Sequence, residues 1–343
     1  MRDLLLWLSR KINYPFLPPQ VMQISLTYRC NLHCKMCNIF GLLPQEEELT
    51  TAQVFHAIDE ARAYNIGEVL LTGGEPLVRE DLGAICRHCA EQGLRSIITT
   101  NGALIDARMA QELSAWGVSH IHVSLDGLEA TNDFFRGNNA FKKAVEGIVI
   151  LNNKRKNTRF FSLGVACTVM DNNVQELSEL LKMADSLGVD VINFQPLVSD
   201  NANFLDKKLP SFWVRQEKIP LLEEEIKKIR HYQPLHITVY EEPRLELLVD
   251  YYQRRLLPRD WVCFGGFKTV FICYDKRKPL IYSCHGICGD LEEVTLKKAW
   301  LSKDARKLRL HSGACRELCM QSCYSQESAQ SLKRILFRGK RKK

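Results

Sequence analysis

The sequence predicts an α/β protein built on a parallel sheet, with a small metal-stapled module towards its C-terminus. Three observations carry this reading. Between residues 22 and about 197, short β-rich apolar runs alternate with helical periods, and every parallel crossover needs a helix. With 343 residues, 45% of them apolar, the chain can fill one large core and still carry an appendage. Its 13 cysteines are unevenly spread, seven of them between Trp261 and Tyr324.

Residues 1–20 form an N-terminal extension: Leu4 to Leu8 make a brief apolar patch hemmed by Asp3, Arg10 and Lys11, which reads as a helix and not as a signal peptide. Strands are expected at 22–28, 68–72, 95–100, 120–125, 161–170 and 190–195, with helices at 51–64, 81–92, 106–116, 140–153 and 174–187. Thr50 and Gln53 open the first of these helices with a capping-box pattern. Whether the sheet is open or curled is not set by periodicity, but function belongs at the carboxyl ends of its strands either way. After this core (21–200) comes a helical linker (201–258) with segments at 219–229 and 244–255, then the cysteine-rich module (259–327) and a tail (328–343). No uncharged apolar run approaches the roughly 20 residues of a transmembrane helix.

The net charge of +7 resides in the tail, where Lys333, Arg334, Arg338, Lys340, Arg341, Lys342 and Lys343 meet no acidic residue, leaving 40 basic against 40 acidic elsewhere. A balanced body is not expected to bind nucleic acid. The tail, preceded by Leu332, Ile335, Leu336 and Phe337, could touch an anionic surface or simply be a solvated end.

So many cysteines without an export signal point to metal or redox chemistry in a reducing, cytoplasmic setting. Directly after the first strand stand Cys30, Cys34 and Cys37, spaced C-x3-C-x2-C. Three thiolates on one loop suit a [4Fe-4S] cluster with its fourth iron open to a ligand; a zinc knuckle borrowing His33 is the alternative. After the second strand come Gly73, Gly74, Glu75 and Pro76, where glycines allow close backbone approach to a ligand and a glutamate can accept from an ammonium. The third strand closes on Asn101-Gly102 and the fourth on Ser124-Leu125-Asp126-Gly127, pairs that also serve as plain turn formers.

This constellation resembles the radical S-adenosylmethionine superfamily. The resemblance implies a partial (β/α)6 TIM-like barrel with a small C-terminal iron-sulfur module. It implies a [4Fe-4S] cluster on Cys30, Cys34 and Cys37, and S-adenosyl-L-methionine held at its amino group by Gly73, Gly74, Glu75 and Pro76. Asn101, Ser124 and Asp126 would look towards the ribose and carboxylate, and residues 193–197 towards the adenine. The C-terminal segment is similar to the SPASM or twitch extension. Cys263, Cys284, Cys315, Cys319 and Cys323 would hold an auxiliary iron-sulfur cluster, with Cys273 and Cys288 spare or ligands of a second cluster and zinc as the competing metal. The implied chemistry is reductive cleavage of the cofactor and hydrogen abstraction from a peptide, protein or small-molecule substrate, fed by a flavodoxin- or ferredoxin-type electron donor. A peptide maturase is the first expectation, although the first strand leaves no room before it for a leader-peptide domain. A molybdopterin-biosynthesis-like cyclase, a sugar- or cofactor-modifying enzyme and a non-catalytic iron-sulfur protein are the alternatives. Cys86, Cys89 and Cys167 read as packing, the histidines show no ligand spacing, and Asp133, Arg136 and Tyr324 fall near the substrate side.

Overall fold

The computed structural model describes residues 1–37, 47–156, 161–198, 212–255, 261–275, 277–284, 286–314, 319, 320, 326, 329 and 331. After α1 (Arg2–Ile12), a run of βα units follows: β1 (Val21–Thr27), α2 (Thr51–Ala63), β2 (Glu68–Gly73), α3 (Leu82–Glu91), β3 (Arg95–Thr100), α4 (Ala107–Ala115), β4 (His120–Ser124), α5 (Glu129–Arg136), α6 (Ala140–Lys156), β5 (Ser162–Val169), α7 (Leu177–Ser186) and β6 (Val191–Pro196). Adjacent strands pair in parallel, Met22 against Val69 and Ile98 against Ile121. The capping box at α2 forms as its sequence requires: Gln53 N–H donates to Thr50 Oγ1 at 3.2 Å and Thr50 N–H to Gln53 Oε1 at 2.9 Å.

Period two decides which residues face the helices. Met22, Ile24, Leu26, Val69 and Leu71 are fully buried against them. Each such side chain contributes about 1.5–3 kcal/mol, and a one-residue slip would turn all five inward, so the register is fixed. The opposite set, including Gln23, Thr72, Thr99, His122, Asn193 and Gln195, lines a cavity of about 830 Å³ inside the curved sheet.

Two features lie beyond the six units. α8 (Ile219–His231) leads to β7 (Thr238–Val239), which extends the sheet past β6, and α9 (Leu247–Tyr252) follows. β8 (Thr269–Asp275) then pairs in parallel with β1, and β9 (Lys278–Ser283) and β10 (Gly286–Asp290) continue antiparallel. The sheet therefore runs β10-β9-β8-β1-β2-β3-β4-β5-β6-β7, and the C-terminal strands are continuous with the barrel. α10 (Leu296–Leu301) and α11 (Lys303–Ala314) complete this end; Glu60 of α2 accepts from the Leu296 N–H at 2.6 Å. No helix among the described residues is long and apolar enough to cross a membrane.

Candidate functional site

At the carboxyl ends of the strands, the turn after β2 is zipped to the segment that enters Cys30. Gly74 N–H donates to Thr27 O at 2.7 Å and Glu75 N–H to Arg29 O at 2.9 Å. A methyl group on Gly74 would lie 2.1 Å from Arg29 O, and one on Gly73, whose φ is 132°, would lie 2.3 Å from Thr27 O. The glycines thus make room for the backbone of the cysteine loop. Glu75 is 1% exposed. Its Oε1 accepts from Leu77 N–H at 3.0 Å and from the Thr100 hydroxyl at 2.7 Å, and its Oε2 accepts from Asn101 N–H at 2.7 Å. Burial raises its pKa and these donors pull it back. Glu75 therefore fastens the end of β2 to the end of β3, keeping one lone pair of Oε2 in reserve. Pro76 opens a short 3-10 turn, Pro76–Val78.

Asn101 donates from Nδ2 to Asn31 Oδ1 at 2.7 Å, with Cys30 Sγ 3.9 Å away, so the end of β3 also steadies the cysteine loop. Ser124 ends β4 half-buried. Asp126 is fully enclosed: it accepts from Arg136 Nε at 2.8 Å and Nη2 at 2.6 Å, and from Thr168 N–H at 2.8 Å. What it does is aim Arg136. That guanidinium lies within electrostatic reach of both Cys34 and Glu75, and its Nη1 has no hydrogen-bond partner among the described residues. Helix α5, which carries Arg136, also braces the loop: Lys35 N–H donates to Phe135 O at 2.8 Å and Lys35 Nζ sits 3.6 Å from the Phe134 ring centre. Asp133 is occupied in accepting the N–H groups of Asn139 and Phe141, both at 2.7 Å.

Cys30 and Cys34 are half-buried and Cys37 is exposed. Burial pushes Cys34 up to about 11, with Arg136 opposing, and lifts Cys30 as well. Cys34 feels the charge of both Cys30 and Cys37, and Cys30 that of Cys37. Among the described residues no three His, Cys, Asp or Glu side chains stand at metal-binding distance, so a metal must draw these thiols together and displace their protons. Two half-buried thiols and an exposed one on a braced loop, with a guanidinium within electrostatic reach of Cys34, fit an anionic thiolate-ligated cluster.

A second convergence lies at the C-terminal end. A methyl group on Gly265 would lie 3.2 Å from Cys263 Sγ and 3.4 Å from Cys284 Sγ, so both sulfurs face one point. Cys284 adopts a left-handed backbone, φ 56°, immediately after β9. Cys273 is elsewhere: its Sγ donates to Ser25 Oγ of β1 at 3.5 Å. Cys288 donates to Ile281 O at 3.4 Å, and Cys319 is buried. Cys315, Cys323, Tyr324 and the basic tail lie outside the described residues.

Cys86, Cys89 and Cys167 are buried in the core. One feature escaped the sequence reading. His120 and His122 alternate along β4 and therefore share its inner face, with ring centres 4.1 Å apart. Gly164 of β5 leaves space for them: a methyl group there would lie 2.4 Å from His122 Nδ1 and 3.0 Å from His120 Nε2. Burial holds His120 down at about 4 and His122 at about 3, so both are neutral around pH 7.

Residues 24–192 match the family described as the radical SAM superfamily. Over 176 residues the chain is 35% identical to an Fe-coproporphyrin III synthase of Methanosarcina barkeri (strain Fusaro / DSM 804), a match covering 51% of this chain and 43% of that protein. An AdoMet-dependent heme synthase of the same organism is 28% identical over 307 residues, 85% of each chain. Among solved structures, Streptococcus suis SuiB bound to precursor peptide SuiA shares the fold with a TM-score of 0.66 at 14% identity, covering 88% of this chain and 69% of that one.

Proposed function

The chain belongs to the radical SAM superfamily through its residues 24–192, and from that premise we propose that it is an enzyme that cleaves S-adenosylmethionine reductively and abstracts hydrogen from a substrate in the barrel cavity. The observation that carries this is the loop of Cys30, Cys34 and Cys37, clamped by the turns after β2 and β3 and by α5. Those thiolates would hold a [4Fe-4S] cluster, which would supply the electron for reductive cleavage of the cofactor.

The protein's own contribution is placement. Arg136, aimed by Asp126, offers Nη1 to the cofactor carboxylate, with the Ser124 hydroxyl beside it. The last lone pair of Glu75 accepts from the amino group. Asn193 and Gln195, which line the cavity, face the adenine and the substrate. The neutral imidazole of His122 gives the cavity polar lining without charge, with His120 packed beside it.

For the substrate, the relative that spans 85% of both chains is named a heme synthase, which favours a tetrapyrrole over the peptide expected from the cysteine pattern. SuiB shares the fold at 14% identity and lends no weight to either. At the other end, Cys263 and Cys284 with cysteines from the following segment hold an auxiliary iron-sulfur cluster, and residues 259–327 form a SPASM- or twitch-like module.

Anaerobic reconstitution with iron and sulfide, then dithionite and S-adenosylmethionine, tests the core reading. 5'-Deoxyadenosine is expected from the wild-type chain, and Cys34→Ala should lower its yield by at least 100-fold, approximately. A wild-type protein with an intact cluster and no 5'-deoxyadenosine would end the enzyme reading. A carboxylated iron porphyrin is expected to increase turnover where an unmodified short peptide does not.

A further inference from the structure

Two cations flank the loop that carries Cys263, and neither has a carboxylate partner among the described residues. Arg10, on α1, donates from Nε to Cys263 O at 2.8 Å and lies within electrostatic reach of that thiol. Arg309, on α11, is 2% exposed. It donates from Nη1 to Trp300 O at 2.9 Å and to Gly266 O at 3.5 Å, and its guanidinium lies 5.6 Å from the Trp300 ring centre and 5.7 Å from that of Phe267. Carbonyl oxygens and ring faces do not neutralise a buried guanidinium, and leaving one without an anion costs several kcal/mol, roughly. Burial accordingly pulls Arg309 down to about 10.

Polar atoms around the same loop are unsatisfied as well. Arg309 Nε, Ser283 Oγ and Trp300 Nε1 are buried polar atoms without a hydrogen-bond partner among the described residues. Two of these three can only donate. Ser283 immediately precedes Cys284, and a methyl group on Gly266 would lie 3.1 Å from its Oγ and 2.6 Å from Arg309 Cγ. One turn further along α11, Ser312 Oγ would lie 3.5 Å from a methyl group on Gly265, the point that both sulfurs face. Orphan donors, and cations with no carboxylate among the described residues, around two converging thiols suit an anion that those residues do not supply.

We propose that Arg10 and Arg309 are the counter-ions of an iron-sulfur cluster held at Cys263 and Cys284, and that their charge sets its reduction potential. The assignment rests on the auxiliary-cluster reading given above. A cubane on thiolates carries net negative charge and gains one more when reduced, so a nearby guanidinium favours the reduced form. Neither arginine binds iron; both act through the field they place on the cluster.

The test uses the full-length chain carrying Cys30→Ala, Cys34→Ala and Cys37→Ala, so that any remaining cluster belongs to the C-terminal site. After anaerobic reconstitution, iron and sulfide are counted and the midpoint is read by EPR-monitored titration with dithionite. Arg309→Met and Arg10→Met are each expected to shift the reduced-to-oxidised ratio at fixed potential about tenfold towards the oxidised form, which is about 59 mV for one electron. Arg309→Lys should recover most of that shift with an unchanged iron count. If Arg309→Met fails to fold, Arg10→Met and Arg309→Lys still decide, because the first removes charge from the half-buried side of the loop and the second keeps it. A midpoint unmoved in Arg10→Met, or in a folded Arg309→Met, with the cluster intact, overturns the counter-ion assignment and leaves the cluster reading standing. A parent chain with no iron, or with zinc in its place, removes the cluster reading itself.

Discussion

Beside Cys34 the guanidinium of Arg136 is already neutralised by the enclosed carboxylate of Asp126, whereas beside Cys263 the guanidinium groups of Arg10 and Arg309 have no carboxylate partner among the described residues. The two cysteine sites therefore meet the charge of a cluster differently. At the barrel mouth the frame is complete before any metal binds: glycine turns, Glu75, Asn101 and α5 fix the loop, and the cation is kept in place by its own anion. At the C-terminal end, among the described residues, Arg309 Nε and Trp300 Nε1 have no hydrogen-bond partner, and on the counter-ion proposal the local stability depends on what the thiols hold. On that proposal a preformed scaffold and a ligand-completed one sit on the same sheet, here on β1 and β9, which are separated only by β8.

The largest test of this contrast removes the preformed anion. Asp126→Asn keeps the shape but strands Arg136, and should destabilise the metal-free chain by about 3–5 kcal/mol in denaturant unfolding. Adding Arg136→Met to Asp126→Asn should recover much of that loss, because no buried charge then remains. Were Asp126→Asn to cost less than about 1 kcal/mol, the claim that the mouth is held by this pair would fail.

A smaller effect compares two glycines. Gly74→Ala drives a methyl group onto the Arg29 carbonyl, a backbone atom that cannot swing aside, and should cost about 1–3 kcal/mol whether or not metal is present. Gly265→Ala meets two sulfurs, at 3.2 and 3.4 Å, and the Ser312 hydroxyl at 3.5 Å, all side-chain ends that can rotate. It should leave the metal-free chain nearly unchanged and instead lower the iron retained by the C-terminal site. Equal melting shifts for the two variants in the metal-free state would erase the distinction.

Much of the mouth was legible in the sequence because its ligands are consecutive on one loop and its turns follow strands with clean period-two burial. The six core strands sit within a residue or so of where alternation puts them. What was not legible depends on contacts between distant segments. Nothing local shows that Gly73 and Gly74 serve the Thr27–Arg29 backbone, or that Asp126 turns away to meet Arg136. Helix α5 was missed because Glu129–Arg136 buries only Asn132 and Phe135, too little for a helical stripe. The junction of β8 with β1 joins residues about 250 apart, Val21 against Thr269, and leaves no trace in either segment. His120 and His122 were passed over since metal spacing was sought along the chain, when alternation in a strand was the relevant period.

The smallest effect lies at alkaline pH. In the folded metal-free chain Cys34 titrates at about 11, against about 8.5 for a cysteine in an unfolded chain. Between those values the unfolded chain has released its proton and the folded one has not, so folding stability falls as pH rises through this window and is fully present below it. The slope from this one thiol is at most about 1.4 kcal/mol per pH unit, and less because Cys34 is only half-buried. Cys34→Ser should flatten the alkaline limb of the metal-free stability curve by that amount. Loading the mouth cluster should flatten it equally in the wild type, since a metal-bound thiolate has no proton to lose. Cys273, also held up to about 11, and Cys288, held up to about 12, remain to titrate in both cases, so a residual slope is expected. If Cys34→Ser left the limb as steep as before, burial of the mouth thiols would not be what keeps them protonated, and the preformed frame would have to be drawn looser than these contacts make it.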